Sequence, residues 1–230
     1  MEIYGLQKLT LLDYPGQVAC TLFTGGCNFR CPFCHNSPLV LENAQSSPIP
    51  LQEVESFLQK RRKLLDGVCI SGGEPLLQSG LEDFLSYIKS LGYKIKLDTN
   101  GSLPARLEAL LSAGLLDFVA MDIKNALPHY AETIGLPLVD IAAIQRSISL
   151  LRECGLPHEF RTTIVKGYHD PARISELTQM IAGEENYFLQ NFVDSGQLID
   201  PSVRGCSREE MEEMLAAARK HVPGAELRGI

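Results

Sequence analysis

The chain has 230 residues, 45% of them hydrophobic and 21% charged, with a formal net charge of −7 and a pI near 5.3. That is enough apolar material for one large α/β domain or two small ones, and the acidic balance argues against a broad nucleic-acid surface, which needs a basic face. No run of about 18 apolar residues occurs, so no transmembrane helix is expected. The start, MEIYGLQKLTLLDYPG, lacks the basic and apolar regions of a secretory signal, which gives a cytoplasmic expectation. Seven cysteines in such a chain argue against a disulfide framework.

In chain order, the first strand signal falls at 18–24, rich in β-branched and aromatic residues. The polar stretch at 42–50 reads as a surface loop. A helix follows at 51–65, with Leu51, Val54, Leu58 and Leu65 near one face. Strand 67–71 precedes helix 81–91, closed by Gly92, and strand 94–98 precedes helix 103–113, closed by Gly114. Strand 118–122 precedes helix 139–154, where Ile141, Ile144, Ile148 and Leu151 share a face. Strand 158–165 precedes helix 171–182, which Asp170 caps and Pro171 opens. Strand 187–192 precedes helix 207–221, whose Ser207-x-x-Glu210 is a capping box.

Six β-then-α units imply a parallel sheet with helices outside. A doubly wound sheet and an incomplete barrel both fit that count. Either one gathers reactive groups at the C-terminal ends of the strands. The out-of-place polar residues fall at those ends: Thr24-Gly25-Gly26 before the cysteines, Ser71-Gly72-Gly73-Glu74-Pro75, Asp98-Thr99-Asn100-Gly101, Asp122-Ile123-Lys124, Arg161, and Gln190-Asn191.

The segment CNFRCPFCHNS, residues 27–37, carries the densest chemistry. Cys31-Pro32-Phe33-Cys34-His35 has the form of a haem attachment site but leaves Cys27 without a role. Zinc would ask for a second pair of ligands, and no second C-x-x-C exists. Cys27, Cys31 and Cys34 fit three corners of an iron–sulfur cubane whose fourth iron stays open to a small molecule. Cys20, Cys69, Cys154 and Cys206 are isolated and read as small apolar side chains.

C-x-x-x-C-x-x-C followed by Gly72-Gly73-Glu74-Pro75 resembles the radical S-adenosylmethionine (SAM) superfamily over essentially the whole chain. Cys34-His35-Asn36, Leu97-Asp98-Thr99-Asn100-Gly101 and Met121-Asp122-Ile123-Lys124 are similar to glycyl-radical-enzyme activases. Among these, the activators of anaerobic ribonucleoside-triphosphate reductase match best, with the pyruvate formate-lyase activase close behind. The resemblance implies a single domain over 1–230 folded as a partial (βα)6 TIM barrel. It implies a [4Fe–4S] cluster on Cys27, Cys31 and Cys34, with SAM chelating the fourth iron. Cleavage of SAM would then give a 5′-deoxyadenosyl radical.

By the same resemblance, Gly72 and Gly73 clear space for SAM, Glu74 helps hold its ammonium, and Lys124 pairs with its carboxylate. Phe33 and His35, which flank Cys34, resemble positions that contact the adenosyl part, and Asn100 is grouped with the cofactor-binding residues. Asp98, Thr99 and Asp122 match positions that hold a monovalent cation. Asp13 and Arg161 are candidate contacts for a glycine-bearing partner loop, and a flavodoxin or ferredoxin is the implied electron donor. Asp13-Tyr14-Pro15-Gly16 departs from the related D-G-P-G segment at Tyr14, and Asn191-Phe192-Val193 lacks a histidine that the pyruvate formate-lyase activase has there. Lys60-Arg61-Arg62-Lys63 reads either as a donor-docking patch or as a solvated helix end. A radical SAM enzyme acting on a small molecule, of the 7-carboxy-7-deazaguanine synthase kind, is the alternative.

Overall fold

The computed structural model describes residues 1–41, 47–194 and 196–229; part of the expected loop at 42–50 lies outside them. Eight strands form one sheet in sequential order. They are β1 (Ile3–Thr10), β2 (Ala19–Thr24), β3 (Gly67–Gly72), β4 (Lys94–Thr99), β5 (Phe118–Asp122), β6 (His158–Ile164), β7 (Tyr187–Asn191) and β8 (Glu226–Arg228). β1 runs antiparallel to β2, and every later neighbour pair is parallel. Among the described residues β1 and β8 do not pair with each other, so the curved sheet stays open at that seam. The curvature shows in the side chains: Arg161 on β6 reaches Asp98 on β4, two strands away, at 3.6 Å.

The helices are α1 (Ser37–Val40), α2 (Leu51–Arg61), α3 (Leu81–Ser90), α4 (Pro104–Ser112), α5 (Tyr130–Thr133), α6 (Ile141–Glu153), α7 (Pro171–Gln179) and α8 (Arg208–Ala218). The six expected β-then-α units are therefore present as β2 to β7 with their helices, and the barrel is the architecture adopted. The expected caps form: Asp170 accepts from the Arg173 N–H at 2.9 Å, and Ser207 and Glu210 close a reciprocal capping box. α2 stops at Arg61 rather than 65, because Arg62 leaves helical geometry and Lys63 takes φ +70. Two strands escaped the sequence pattern. β1 is an edge strand that is half exposed along most of its length, and β8 has three residues.

Strand periodicity places successive side chains on opposite faces. The outward set is apolar and fully buried under the helices: Leu22, Val68, Ile70, Ile95, Leu97, Val119, Met121, Phe160 and Leu189. Val54, Leu58, Leu85, Ile88, Leu107, Ile144, Leu151, Ile174, Leu177 and Met211 meet them from the helices. Each such side chain contributes about 1.5–3 kcal/mol of transfer free energy. The inward set includes Thr21, Cys69, Ser71, Lys96, Asp98, Asp122, Glu159, Arg161, Thr163 and Gln190. A parallel strand is normally apolar on both faces, so the charged lumen marks where a guest belongs.

Candidate active site

The strand-end loops enclose one cavity of about 230 Å³. Cys27, Cys31 and Cys34 line one wall, Gly72, Gly73, Thr99 and Asn100 a second, and Asp98, Asp122, Lys124 and Arg161 the floor. Phe33, His35, Ser71, Thr163 and Gln190 complete it.

The cysteine loop is held mainly by backbone contacts. The Gly26 N–H donates to the Leu39 carbonyl at 2.7 Å, and the Arg30 N–H donates to the Ile134 carbonyl at 2.8 Å. Arg30 folds its guanidinium back onto the carbonyls of Cys27 (2.5 Å) and Phe29 (2.8 Å). Among the described residues no three of His, Cys, Asp or Glu converge closely enough to share one metal ion. All three thiols line the same cavity, as three corners of a cubane cluster require. Burial pushes the Cys31 thiol up to about 12, against the pull of Lys124, and it also raises Cys27 and Cys34. Such thiols keep their protons until iron displaces them. A second group waits beside them. The Tyr130 hydroxyl is fully buried, with the Lys124 backbone and the Cys31 side chain among the groups facing it. Its O–H has no acceptor among the described residues, and beside Cys31 such a donor fits a site completed by a sulfur-rich group.

The floor is an ion-pair lattice. Asp122 accepts from Arg161 Nε at 3.0 Å and from Lys124 Nζ at 3.0 Å. Asp98 takes the Lys96 ammonium, the Arg161 guanidinium and a 2.9 Å hydrogen bond from Ser71 Oγ. Burial alone would raise both carboxyls. Arg161 and the neighbouring lysines overcome it, so both sit below the ordinary aspartate range. Lys124 and Arg161 are held charged by the same contacts. Glu159, nearly fully buried, backs Arg161 at 4.0 Å and is itself gripped by Arg228 through two bonds of 3.1 and 2.9 Å. His169 Nε2 donates to the Lys124 carbonyl at 2.8 Å while Nδ1 receives the Val165 N–H at 3.1 Å. Since Nδ1 accepts there, Nε2 carries the proton and is the donor.

Glu74 plays a part different from the expected one. It is fully buried and absent from the cavity wall. Its carboxylate accepts from the Leu76 N–H (3.1 Å), the Thr99 hydroxyl (2.9 Å) and the Asn100 N–H (2.7 Å), tying the glycine loop to the end of β4. Burial lifts its pKa to about 7, with those three donors pulling the other way. Its carboxyl is therefore engaged inside the scaffold by three donors. The glycines also owe their identity to the scaffold. A Cβ on Gly73 would lie 1.8 Å from the Gly26 carbonyl oxygen, and Gly72, at φ +115, would bring one within 2.4 Å of Thr24 backbone. The tight approach is of the Gly72-Gly73 loop to the chain entering the cysteines.

Of the other expected residues, His35 stacks on Phe192 at 5.3 Å and Phe33 sits edge-on to Tyr168 at 6.0 Å, both at the cavity. Asn100 donates to the Asn28 side chain at 2.9 Å and approaches Cys27 Sγ at 3.8 Å. Asp13 is not brought to the cavity. It lies in the β1–β2 hairpin, at the N-terminal end of the parallel strands, and accepts from the Thr21 hydroxyl at 2.5 Å. Lys60-Arg61-Arg62-Lys63 is also at that end, because α2 leads directly into the start of β3. A six-residue strand, about 20 Å, separates it from the cysteines. That separation removes the reason to read it as a donor-docking patch. Sequence reasoning missed Lys96, Glu159, Arg228 and Tyr130. For Lys96 the available signal was Lys94, Lys96 and Asp98 alternating along a strand that should be apolar on both faces.

Comparison with known proteins agrees with this geometry. The model of the radical SAM superfamily matches residues 21–178. A protein of Methanocaldococcus jannaschii, provisionally named a glycyl-radical enzyme activating enzyme, is 28% identical over 237 residues, covering 99% of this chain and 96% of its own. The pyruvate formate-lyase-activating enzyme of Staphylococcus aureus is 28% identical over 180 residues, covering 74% of this chain and 70% of its own. Among solved structures, SuiB of Streptococcus suis bound to S-adenosylmethionine superposes with a TM-score of 0.69 at 15% identity, over 91% of this chain and 52% of that one. Native anSMEcpe with bound AdoMet gives 0.65 at 16% identity, over 86% and 58%. The chain spans about half the length of these two structures, and they speak for the fold. The match over residues 21–178 covers more than half of the sequence, and the chain belongs to the radical SAM superfamily, whose members use a [4Fe–4S] cluster and SAM.

Proposed function

We propose that the protein is a glycyl-radical-enzyme activase and that its partner is an anaerobic ribonucleoside-triphosphate reductase. The observation that carries the activase reading is the near end-to-end likeness to the Methanocaldococcus jannaschii protein. The open seam between β1 and β8 supports it, since a polypeptide loop needs side access to the lumen where a small metabolite favours a closed pocket.

In this reading Cys27, Cys31 and Cys34 ligate the cluster, while Phe33 and His35 bracket the adenosyl part of SAM. Lys124, fully charged in the lattice, pairs with the SAM carboxylate, and the backbone of Gly72, Gly73 and Asn100 lines the methionine end. When bound, the reduced cluster would supply one electron and SAM the 5′-deoxyadenosyl group, with methionine as the leaving group, which is the chemistry needed to remove a glycine Cα hydrogen. The chain's own contribution is positioning. Arg161, fixed by Asp98, Asp122 and Glu159, presents one defined guanidinium edge to the guest. Phe33 and Phe29 keep water from the cluster wall. A flavodoxin or ferredoxin supplies the electron, docking at the cysteine end rather than at Lys60–Lys63.

The test is anaerobic incubation of cluster-loaded protein with SAM, dithionite and an inactive anaerobic ribonucleotide reductase. The reading expects 5′-deoxyadenosine and a gain of reductase activity. 5′-Deoxyadenosine formed only when a small metabolite is supplied would favour the small-molecule enzyme instead.

A further inference from the structure

Asp98 and Asp122 end adjacent parallel strands and face one cavity, beside the Thr99 hydroxyl. Oxygen ligands so gathered would ordinarily attract a hard cation. Here every carboxylate oxygen is already engaged. Asp98 Oδ1 receives Lys96 and Arg161, and its Oδ2 receives Ser71. Asp122 Oδ1 receives Arg161, and its Oδ2 receives Lys124. Both carboxylates are thus matched by ammonium and guanidinium groups before any ion is added.

Lys96 is the unusual member. It is 1% exposed, on the inward face of β4, two residues before Asp98 and therefore on the same face. Its ammonium meets Asp98 on one side and the Phe118 ring, 5.9 Å from its centroid, on the other. A buried ammonium is costly unless paired, and the carboxylate and the ring supply that pairing. The proposed function has no other task for this side chain: it does not line the cavity.

We infer that Lys96 is a tethered cation, occupying beneath Asp98 the place an alkali-metal ion would take, so that SAM binding by this chain is independent of added monovalent cation. The inference rests on the reading of the cavity as a SAM site. It replaces the expectation of a cation held by Asp98, Thr99 and Asp122. A further ion would have to compete with the Lys96, Lys124 and Arg161 groups that already hold both carboxylates.

The test measures SAM binding and thermal melting of the cluster-loaded protein at constant ionic strength, in potassium, sodium or tetramethylammonium chloride. The wild-type protein should bind SAM equally, within ~2-fold, in all three salts. Lys96→Met leaves Asp98 a buried, half-neutralised carboxylate. It should bind SAM ~10-fold more weakly in tetramethylammonium and recover in potassium or sodium, with a melting temperature raised by those ions only in the variant. Lys96→Gln serves as the second variant if Lys96→Met does not fold. Wild-type binding that rises ~10-fold with potassium, or a folded variant as indifferent to the salt as the wild type, would overturn the tethered cation. Absence of SAM binding by the wild type in every salt would instead overturn the reading of the cavity, and the inference with it.

Discussion

The two faces of the same strands follow opposite rules. Outward, β2 to β7 present Leu22, Ile70, Leu97, Val119, Phe160 and Leu189, all fully buried against helices. Inward, the same strands present Thr21, Ser71, Asp98, Asp122 and Arg161, tied by hydrogen bonds and ion pairs, and Gln190 at the cavity. The outward face contributes the non-directional stabilisation that closes the domain. The inward face is a lattice in which each charge has a named partner, so a change there is felt as geometry and electrostatics. Stability and chemistry are therefore separable by the parity of a residue along its strand.

The largest expected effect lies above both faces, in the cysteine loop. Changing Cys27, Cys31 or Cys34 to Ala should abolish a cluster of about four irons per chain, while Cys154→Ala and Cys206→Ala should leave it intact. Iron and sulfide analysis after anaerobic reconstitution reads this directly. Gly73→Val should rank next. A side chain there strikes the Gly26 carbonyl, one residue before Cys27. The structure therefore expects loss of cluster occupancy together with loss of SAM cleavage. A Gly73→Val protein that keeps full iron and loses only SAM cleavage would show that the glycine clears space for SAM instead.

The parity rule itself is tested by a pair. Ile70→Ala, on the outward face, should lower stability by about 2–5 kcal/mol and leave 5′-deoxyadenosine formed per folded molecule unchanged. Gln190→Leu, at the cavity, should do the reverse, with stability within about 1 kcal/mol of wild type and an altered SAM affinity. Denaturant titration and SAM binding on both variants give the answer. Equal losses of stability would erase the distinction.

Much of this was legible in the sequence. The six strands and their helices were marked by apolar periods and by caps such as Asp170 and Ser207-x-x-Glu210. The strand-end positions followed from those elements, which is why Asp98, Asp122, Lys124 and Arg161 could be grouped before any coordinates. What stayed hidden depended on direction and distance. The sequence shows Glu74 in a loop beside glycines, but not that three donors draw its carboxylate inward. Asp13 opens a segment that resembles a D-G-P-G motif, yet the hairpin carries it to the far end of the strands. Arg228 joins the lattice from a three-residue strand that no periodicity could reveal.

A last effect, on stability alone, concerns Glu74. Its folded pKa of about 7 lies above the ordinary value of 4.5, so folding disfavours its charged form. The penalty is fully present above about pH 7 and is relieved as the pH falls toward about 4.5. Wild-type stability relative to Glu74→Gln should therefore rise between about pH 8 and pH 5, by an amount on the order of 2–3 kcal/mol. Urea titrations of both proteins across that range measure it. A difference independent of pH would mean the three donors hold Glu74 ionised throughout.

The central claim is that the open, charged lumen admits a glycine-bearing loop of another protein. It is tested most directly by electron paramagnetic resonance of a frozen anaerobic mixture of reduced protein, SAM and an anaerobic ribonucleotide reductase. The account predicts a glycyl-radical doublet on the partner that disappears when the partner's radical-site glycine is changed to alanine. A protein that cleaves SAM in that mixture, yet leaves no radical on this or any other glycyl-radical enzyme, would contradict it.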